Sequence, residues 1–209
     1  MFKRMIEDVN AVRERDPAAR SFLEVFFLYP GVKAIRMHRR ANFYYRHNLM
    51  FLARLVSQRA ARKTGIEIHP GATIGRRLVI DHGTGVVIGE TTEIGDDVLI
   101  YQGVTLGGTG KDVGKRHPTI GNNVMISAGA KVLGPFKIGD NSRVAAGAIV
   151  LTEVPPNSTV VGVPARVVKQ DGKRVALDQI HIPDPVKQKM DLLEERITVL
   201  EALLKKKNK

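Results

Sequence analysis

The chain has 209 residues, of which 43% are hydrophobic and 26% charged, a composition ordinary for a soluble globular protein with one sizeable domain and an appendage. It contains no cysteine, which excludes disulfides, thiolate metal sites and a cysteine nucleophile. No apolar run approaches the roughly 20 residues that span a bilayer, so we expect a cytoplasmic protein without a membrane partner, and its net charge of +12 favours anionic ligands.

Residues 1–66 predict a helical N-terminal domain. Phe2, Ile6 and Val9 recur at helical spacing. Asp16 followed by Pro17 predicts a helix start, with Asp16 as the N-cap. A longer helical stretch is expected to end at Gly65.

From residue 67 to residue 170 the dominant feature is a six-residue repeat. An aliphatic residue returns at every sixth position, with two phase slips. The series is Ile68, Ile74, Ile80, Ile88, Ile94, Ile100, Leu106, Ile120, Ile126, Val132, Ile138, Val144 and Val150. A smaller inward candidate follows four positions later, as at Ala72, Val98, Val104, Val124, Ala130 and Ala148.

A period of six excludes an α-helix and suits a coil of short strands in which three hexapeptides make one turn of a prism. Turn residues fall at the expected corners in the segments 95–97, 121–123 and 139–141, where Gly and Asn tolerate positive φ. We therefore predict a mainly β protein, a parallel β-helix whose catalytic domain spans 67–170.

The two phase slips are where a site is expected, because regular rungs leave no room for chemistry. The first slip carries His82, a candidate general base with an unperturbed pKa of about 6.5. Glu67 and Asp81 are both available to orient it, and Glu67 lies 15 residues before His82, slightly less than one coil. A packed or surface histidine is the alternative.

The second slip is a Gly-rich, basic loop over residues 107–119. Arg116 could grip a carboxylate through two parallel hydrogen bonds, and the loop glycines could present N–H groups to an oxyanion. His117 follows directly. A solvated basic loop is the alternative.

The tail, residues 171–209, includes a heptad pattern that predicts a helix over 184–205. Apolar residues recur at spacings of four and three: Val186, Met190, Leu193, Ile197, Leu200 and Leu204. Both a trimeric bundle and a helix folded onto its own chain fit this pattern.

Six segments make the chain resemble the serine acetyltransferases of the hexapeptide acyltransferase superfamily. They are RDPAA at 15–19, EIHPGATIG at 67–75, IDHGTGVVIGET at 80–91, VTLGGTGKDVGKRHPTIG at 104–121, SAGAKVLG at 127–134 and VPPNSTVVGVPARVV at 154–168. The resemblance implies a left-handed β-helix and trimers, or dimers of trimers, with active sites between neighbouring subunits. It also implies acetyl transfer from acetyl-CoA to L-serine in cysteine synthesis, without a metal, and cysteine commonly inhibits these enzymes.

The resemblance assigns roles to individual residues. His82 is the base, oriented by Glu67, where many members have Asp. Asp16 and Asp81 match the residues that bind the substrate amino group. Arg116 matches the residue that binds the substrate carboxylate, and His117 matches a second substrate-binding histidine. The backbone of three further residues lines the acetyl-CoA groove: Gly108, Ala128 and Ala146.

Two departures bear on partners. The helical domain is shorter than in the forms where it joins two trimers, which admits a lone trimer. Many members end in a segment that docks into O-acetylserine sulfhydrylase, whereas this chain ends in a lysine-rich run at 205–209, which leaves that complex without a sequence signal.

Three rival functions remain at this point. The same fold could acetylate homoserine, a sugar or an antibiotic. A zinc β-helix enzyme would need His69, His82 and His117 to converge on one metal. A nucleic-acid scaffold rests on charge alone, and we expect no nucleic-acid partner.

Overall fold

The computed structural model describes residues 2–174, apart from 109, 111 and 112, and the separate positions 193, 196 and 197. The chain divides into two compact units, Met1–Val175 and Ala176–Lys209. In the second unit, Leu193, Arg196 and Ile197 are helical and exposed. The other positions of the predicted heptad helix 184–205 lie outside the described residues.

Four helices form the N-terminal part: α1 (Phe2–Arg15), α2 (Phe22–Leu28), α3 (Pro30–Arg46) and α4 (Met50–Thr64). Gly65, in the left-handed conformation, caps the last of them as expected. No helix in the described part of the chain is both long and apolar enough to cross a bilayer.

The predicted helix start at Asp16 is wrong. Helix α2 begins at Phe22, because the Ser21 hydroxyl accepts the N–H of Glu24 at 3.2 Å and caps it. Asp16 instead closes a local turn between α1 and α2, in which its carboxylate accepts the N–H of Ala18 at 2.8 Å.

The repeat region is a left-handed parallel β-helix of short strands. Thirteen strands make the coils: β1 (Glu67–Ile68), β2 (Thr73–Ile74), β3 (Val79–Ile80), β4 (Val87–Ile88), β5 (Glu93–Ile94), β6 (Leu99–Ile100), β7 (Thr105–Gly107), β8 (Thr119–Ile120), β9 (Met125–Ile126), β10 (Lys131–Leu133), β11 (Lys137–Ile138), β12 (Arg143–Val144) and β13 (Ile149–Val150). Three more close its end: β14 (Ser158–Gly162), β15 (Ala165–Gln170) and β16 (Lys173–Arg174).

Each strand stacks on the strand three places before it in the chain, which gives three sheets. The first sheet has the order β1-β4-β7-β10-β13, the second β2-β5-β8-β11, and the third β3-β6-β9-β12-β14, followed by β15 and β16. Pairing within the coils is parallel, and β14, β15 and β16 pair antiparallel.

The repeat positions form the core. Twelve of the 13 aliphatic residues are at most 4% exposed, and Ile74 is partly buried. The six smaller inward candidates are also buried. The six-residue rhythm therefore identified the interior correctly.

The corner glycines serve a different purpose from the one expected. Positive φ falls on Asp97, Asn123 and Asn141, two residues after each glycine. The glycines are required by close approach between coils, since a Cβ at Gly121 would lie 3.0 Å from the carbonyl oxygen of Ile138.

Candidate active site

The first phase slip forms the corner between the third and first sheets, which we call the His82 corner (residues 81–86). His82 is exposed and has a φ of 56°, a conformation that a non-glycine residue adopts only when its surroundings impose it. The next residue, Gly83, is buried so closely over Ile66 that a Cβ there would lie 2.5 Å from the Ile66 side chain. The fold thus fixes the backbone that presents the imidazole.

Glu67 lies near the same corner, on the coil before His82. It opens β1, pairs with Val87 and is exposed. The Gly85 N–H donates to the Gly65 carbonyl at 2.9 Å, which stacks the two coils here. Within residues 2–174 as described, Glu67 and His82 share no hydrogen bond, so orientation of the imidazole by Glu67 stays a prediction.

Asp16 and Asp81 line one small cavity together with Tyr29 and Tyr101. The Tyr29 hydroxyl donates to Asp16 at 2.9 Å, and burial, then the Asp16 carboxylate, raises the pKa of Tyr29 to about 12. Tyr29 therefore remains a donor. The two carboxylates share this cavity with Arg15, whose guanidinium pairs with Asp97 at 3.1 Å.

A column of glycines, one on each successive coil, begins in the His82 corner and follows the corner between the third and first sheets. Gly85, Gly103, Gly129 and Gly147 all have φ between 68° and 76°. Ala128 and Ala146 immediately precede the last two. Among the described residues, a Cβ at Gly147 would meet nothing within 4 Å. One residue per coil at this corner therefore carries no Cβ.

The second phase slip forms the corner between the first and second sheets, which we call the loop corner (residues 89–92, Gly108 and 113–118). Here the Arg116 guanidinium pairs with the Glu90 carboxylate. The Glu90 carboxylate also accepts the Tyr45 hydroxyl at 2.9 Å. Gly108, near the start of this loop, lies against Arg116 near its end, since a Cβ there would be 3.0 Å from the Arg116 carbonyl oxygen.

His117 is held by Thr91 in one tautomer. Its Nδ1 accepts the Thr91 N–H at 3.2 Å and lies 2.9 Å from the Thr91 hydroxyl, which leaves the proton on Nε2. Burial, and then Arg116, lowers the pKa of His117 below its usual range. The ring lies so close to Gly89 that an added Cβ would sit 2.0 Å from its Cδ2. His117 is therefore a neutral donor.

The sequence-derived residues thus fall into two groups. One group surrounds the His82 corner: Asp16, Glu67, Asp81, His82, Ala128 and Ala146. The other surrounds the loop corner: Gly108, Arg116 and His117. Within one chain the two groups lie at opposite ends of the strands of the first sheet.

Comparison with known proteins identifies the family. The model described as bacterial transferase hexapeptide (six repeats) matches residues 117–152. The chain is 56% identical over 207 residues to the serine acetyltransferase of Bacillus subtilis (strain 168), covering 98% of this chain and 95% of that protein. The chain belongs to the serine acetyltransferase family.

Solved serine acetyltransferases share the fold. The Neisseria gonorrhoeae enzyme in complex with serine has a TM-score of 0.78 and 42% identity, covering 80% of this chain and 69% of that one. The Brucella abortus strain S19 enzyme in complex with coenzyme A has a TM-score of 0.79 and 43% identity, covering 81% and 68%.

Within one chain, the geometry does not bring together the three histidines that the zinc hypothesis requires. His69 and His117 both lie where the chain passes from the first sheet to the second, whereas His82 lies where it passes from the third sheet to the first. His69 Nδ1 accepts the Gly71 N–H at 3.1 Å. Among the described residues, no three histidine, aspartate or glutamate side chains converge on one point.

Sequence reasoning assigned no role to Tyr29, Tyr45, Glu90 or Thr91. Glu90 and Thr91 stood inside a matched family segment, IDHGTGVVIGET, which was a usable signal. Tyr45 lies 45 residues before its partner Glu90, on a helix with no motif, and only the folded structure brings it to the site.

Proposed function

We propose that this protein transfers the acetyl group of acetyl-CoA to the hydroxyl of L-serine, giving O-acetyl-L-serine and CoA, the first step of cysteine biosynthesis. The observation that carries the proposal is the identity to serine acetyltransferases over nearly the whole chain, which includes the His82 corner and the loop corner. The acceptor-binding groups favour an amino acid, because carboxylates and a guanidinium are complementary to its ammonium and carboxylate.

The active site is completed between subunits. Each face of the prism holds about six residues at roughly 3.3 Å per residue, so the two corners of one chain lie on the order of 15–20 Å apart, too far for both to hold one serine. A threefold ring repeats a head-to-tail contact, in which the His82 corner of one subunit meets the loop corner of its neighbour. The working unit is a homotrimer, alone or paired with a second trimer.

Each group has one task in this cleft. Asp16 and Asp81 bind the serine ammonium, and Arg116 and His117 of the neighbouring subunit bind its carboxylate side. His82, oriented by Glu67, takes the hydroxyl proton while the serine oxygen attacks the thioester carbonyl. The carbonyl oxygen becomes an oxyanion that accepts hydrogen bonds from backbone N–H groups. Collapse breaks the carbon–sulfur bond, and His82 returns its proton to the departing thiolate.

Acetyl-CoA lies along the glycine column, against the backbone of Ala128 and Ala146, with Gly108 of the neighbouring subunit opposite. The positive surface charge attracts its phosphates.

Cysteine, which carries the same ammonium and carboxylate as serine, competes for the cleft, and a solved serine acetyltransferase is in complex with cysteine. The protein works in the cytoplasm.

The test is a thiol-release assay with acetyl-CoA and serine, homoserine or a galactoside, with and without cysteine. Serine should be the preferred acceptor, and His82→Ala should lower kcat at least ~10²-fold. His47→Ala, which removes an exposed histidine at the end of α3, is the control and should keep wild-type kcat. Near-normal turnover of His82→Ala would reject the assignment, and preference for homoserine or the sugar would replace the acceptor.

A further inference from the structure

We propose that Tyr45 and Glu90 are positioning residues that aim Arg116 at the acceptor carboxylate, so that the N-terminal helices set acceptor affinity. The inference rests on the proposed function, in which Arg116 binds that carboxylate.

Glu90 is held from both sides. Its Oε2 accepts from Arg116 Nη2, and its Oε1 accepts from the Tyr45 hydroxyl at 2.9 Å. Tyr45 lies on α3, whereas Glu90 follows β4 and Arg116 lies in the loop before β8. The chain of contacts therefore runs from a helix, through a corner of the β-helix, to the loop.

Packing leaves this chain of contacts little freedom. A Cβ at Gly71 would lie 3.1 Å from Tyr45 Cζ and 3.2 Å from Glu90 Cγ, so both side chains press against bare backbone. The Tyr45 ring also meets His69 edge to face, with 5.9 Å between ring centroids. Neither side chain can swing away without losing these contacts.

The protonation states fit a fixed ionic anchor. Hydrogen bonds from Arg116 and then Tyr45 lower the pKa of Glu90, and the hydrogen bond to Glu90 raises the pKa of Tyr45. Glu90 is thus an anion at neutral pH, with Tyr45 as a neutral donor.

The anchor occupies only part of the guanidinium. Arg116 donates from Nη2 to Glu90 and from Nη1 to the Gly114 carbonyl at 3.4 Å, and a guanidinium has five N–H donors. The remaining donors can bind a second carboxylate. Thr91 fixes the other end, because its hydroxyl oxygen accepts the N–H groups of Arg116 and His117 at 3.0 and 3.1 Å.

The experiment compares Tyr45→Phe and Glu90→Gln with two matched controls in the full-length protein. Tyr44→Phe removes the neighbouring hydroxyl. Glu93→Gln removes a carboxylate that pairs with Lys115 at 2.9 Å in the same loop. Steady-state kinetics are measured with serine and with ethanolamine, which lacks the carboxylate, and thermal melting verifies that every variant folds.

Glu90→Gln should raise the KM for serine about tenfold, near the lower end of the range for losing a hydrogen bond between charged groups. Tyr45→Phe should raise it about threefold, because Tyr45 acts only through Glu90. The KM for acetyl-CoA and the rate with ethanolamine should stay at wild-type values. Because Tyr45 acts through Glu90, the double variant should match Glu90→Gln alone.

Equal losses with serine and ethanolamine would overturn the inference, because they would indicate a purely structural role. So would a serine KM indistinguishable from that of the controls. Failure of the proposed function shows separately, in the wild-type protein. If the wild type prefers homoserine, the comparison is made with homoserine and 3-aminopropan-1-ol, and the same two results decide it.

Discussion

Replacing Gly147 by alanine tests whether acetyl-CoA lies along the glycine column. Gly147 has a φ of 68°, is exposed, and has no heavy atom of the described residues within 4 Å of the place where a Cβ would be. The added methyl group therefore meets none of the atoms that the structure describes. It would project into the space assigned to the extended arm of acetyl-CoA.

The change has two separable costs. Alanine in the left-handed conformation costs roughly 1–2 kcal/mol, which lowers the Tm by roughly 2–8 °C in a protein of this size. Crowding a bound chain by one methyl group costs a further ~1–3 kcal/mol of binding, which raises the KM for acetyl-CoA by about 5- to 150-fold. The KM for serine should change little.

Gly172→Ala separates the two effects. Gly172 has a φ of 78°, is exposed and likewise has no described residue within 4 Å of an added Cβ, but it lies in the turn between β15 and β16. It should show the same loss in Tm with wild-type kinetics. An unchanged acetyl-CoA KM in Gly147→Ala, or an equal rise in both variants, would refute the placement of acetyl-CoA along this edge.

Two further perturbations follow from the structure. Gly89→Ala places a Cβ 2.0 Å from His117 Cδ2, so displacement of that ring should raise the serine KM about tenfold or more. Gly110→Ala, where no described residue lies within 4 Å of the added Cβ, should not raise it. Equal KM values for the two variants would contradict a role for His117 in binding. His38 is 4% exposed, and burial lowers its pKa to about 4. Because its unfolded pKa is about 6.5, the unfolded state binds more protons between these values, and stability should fall by about 2 kcal/mol from pH 7 to pH 5. Urea unfolding of His38→Gln should lack that part of the pH dependence, and parallel curves for variant and wild type would exclude His38 as its source.

Local pattern was enough for the interior of the β-helix. The six-residue period puts one aliphatic residue on each face, and residues such as Ile100, Leu106 and Ile126 are fully buried where the period places them. Helix boundaries were less secure. Asp16–Pro17 carries a helix-start signal, but Ser21 with Glu24 supplies a competing cap five residues later, and Asp16 is engaged by Tyr29 instead.

The sequence by itself determined the parallel β-helix, because a repeat of short strands can bury its aliphatic residues only by stacking coil on coil. It also located the two interruptions that carry His82 and Arg116. Because three repeats make one turn, the number of repeats before each interruption also assigns the two interruptions to different corners. Only the tertiary structure decided what packs against each of them, because the N-terminal helices contact these corners through residues that no local pattern specifies. In one chain the imidazole and the guanidinium lie at opposite ends of the strands of the first sheet. The Tyr45–Glu90 contact was likewise a matter of folding, since it joins residues 45 positions apart that share no local pattern.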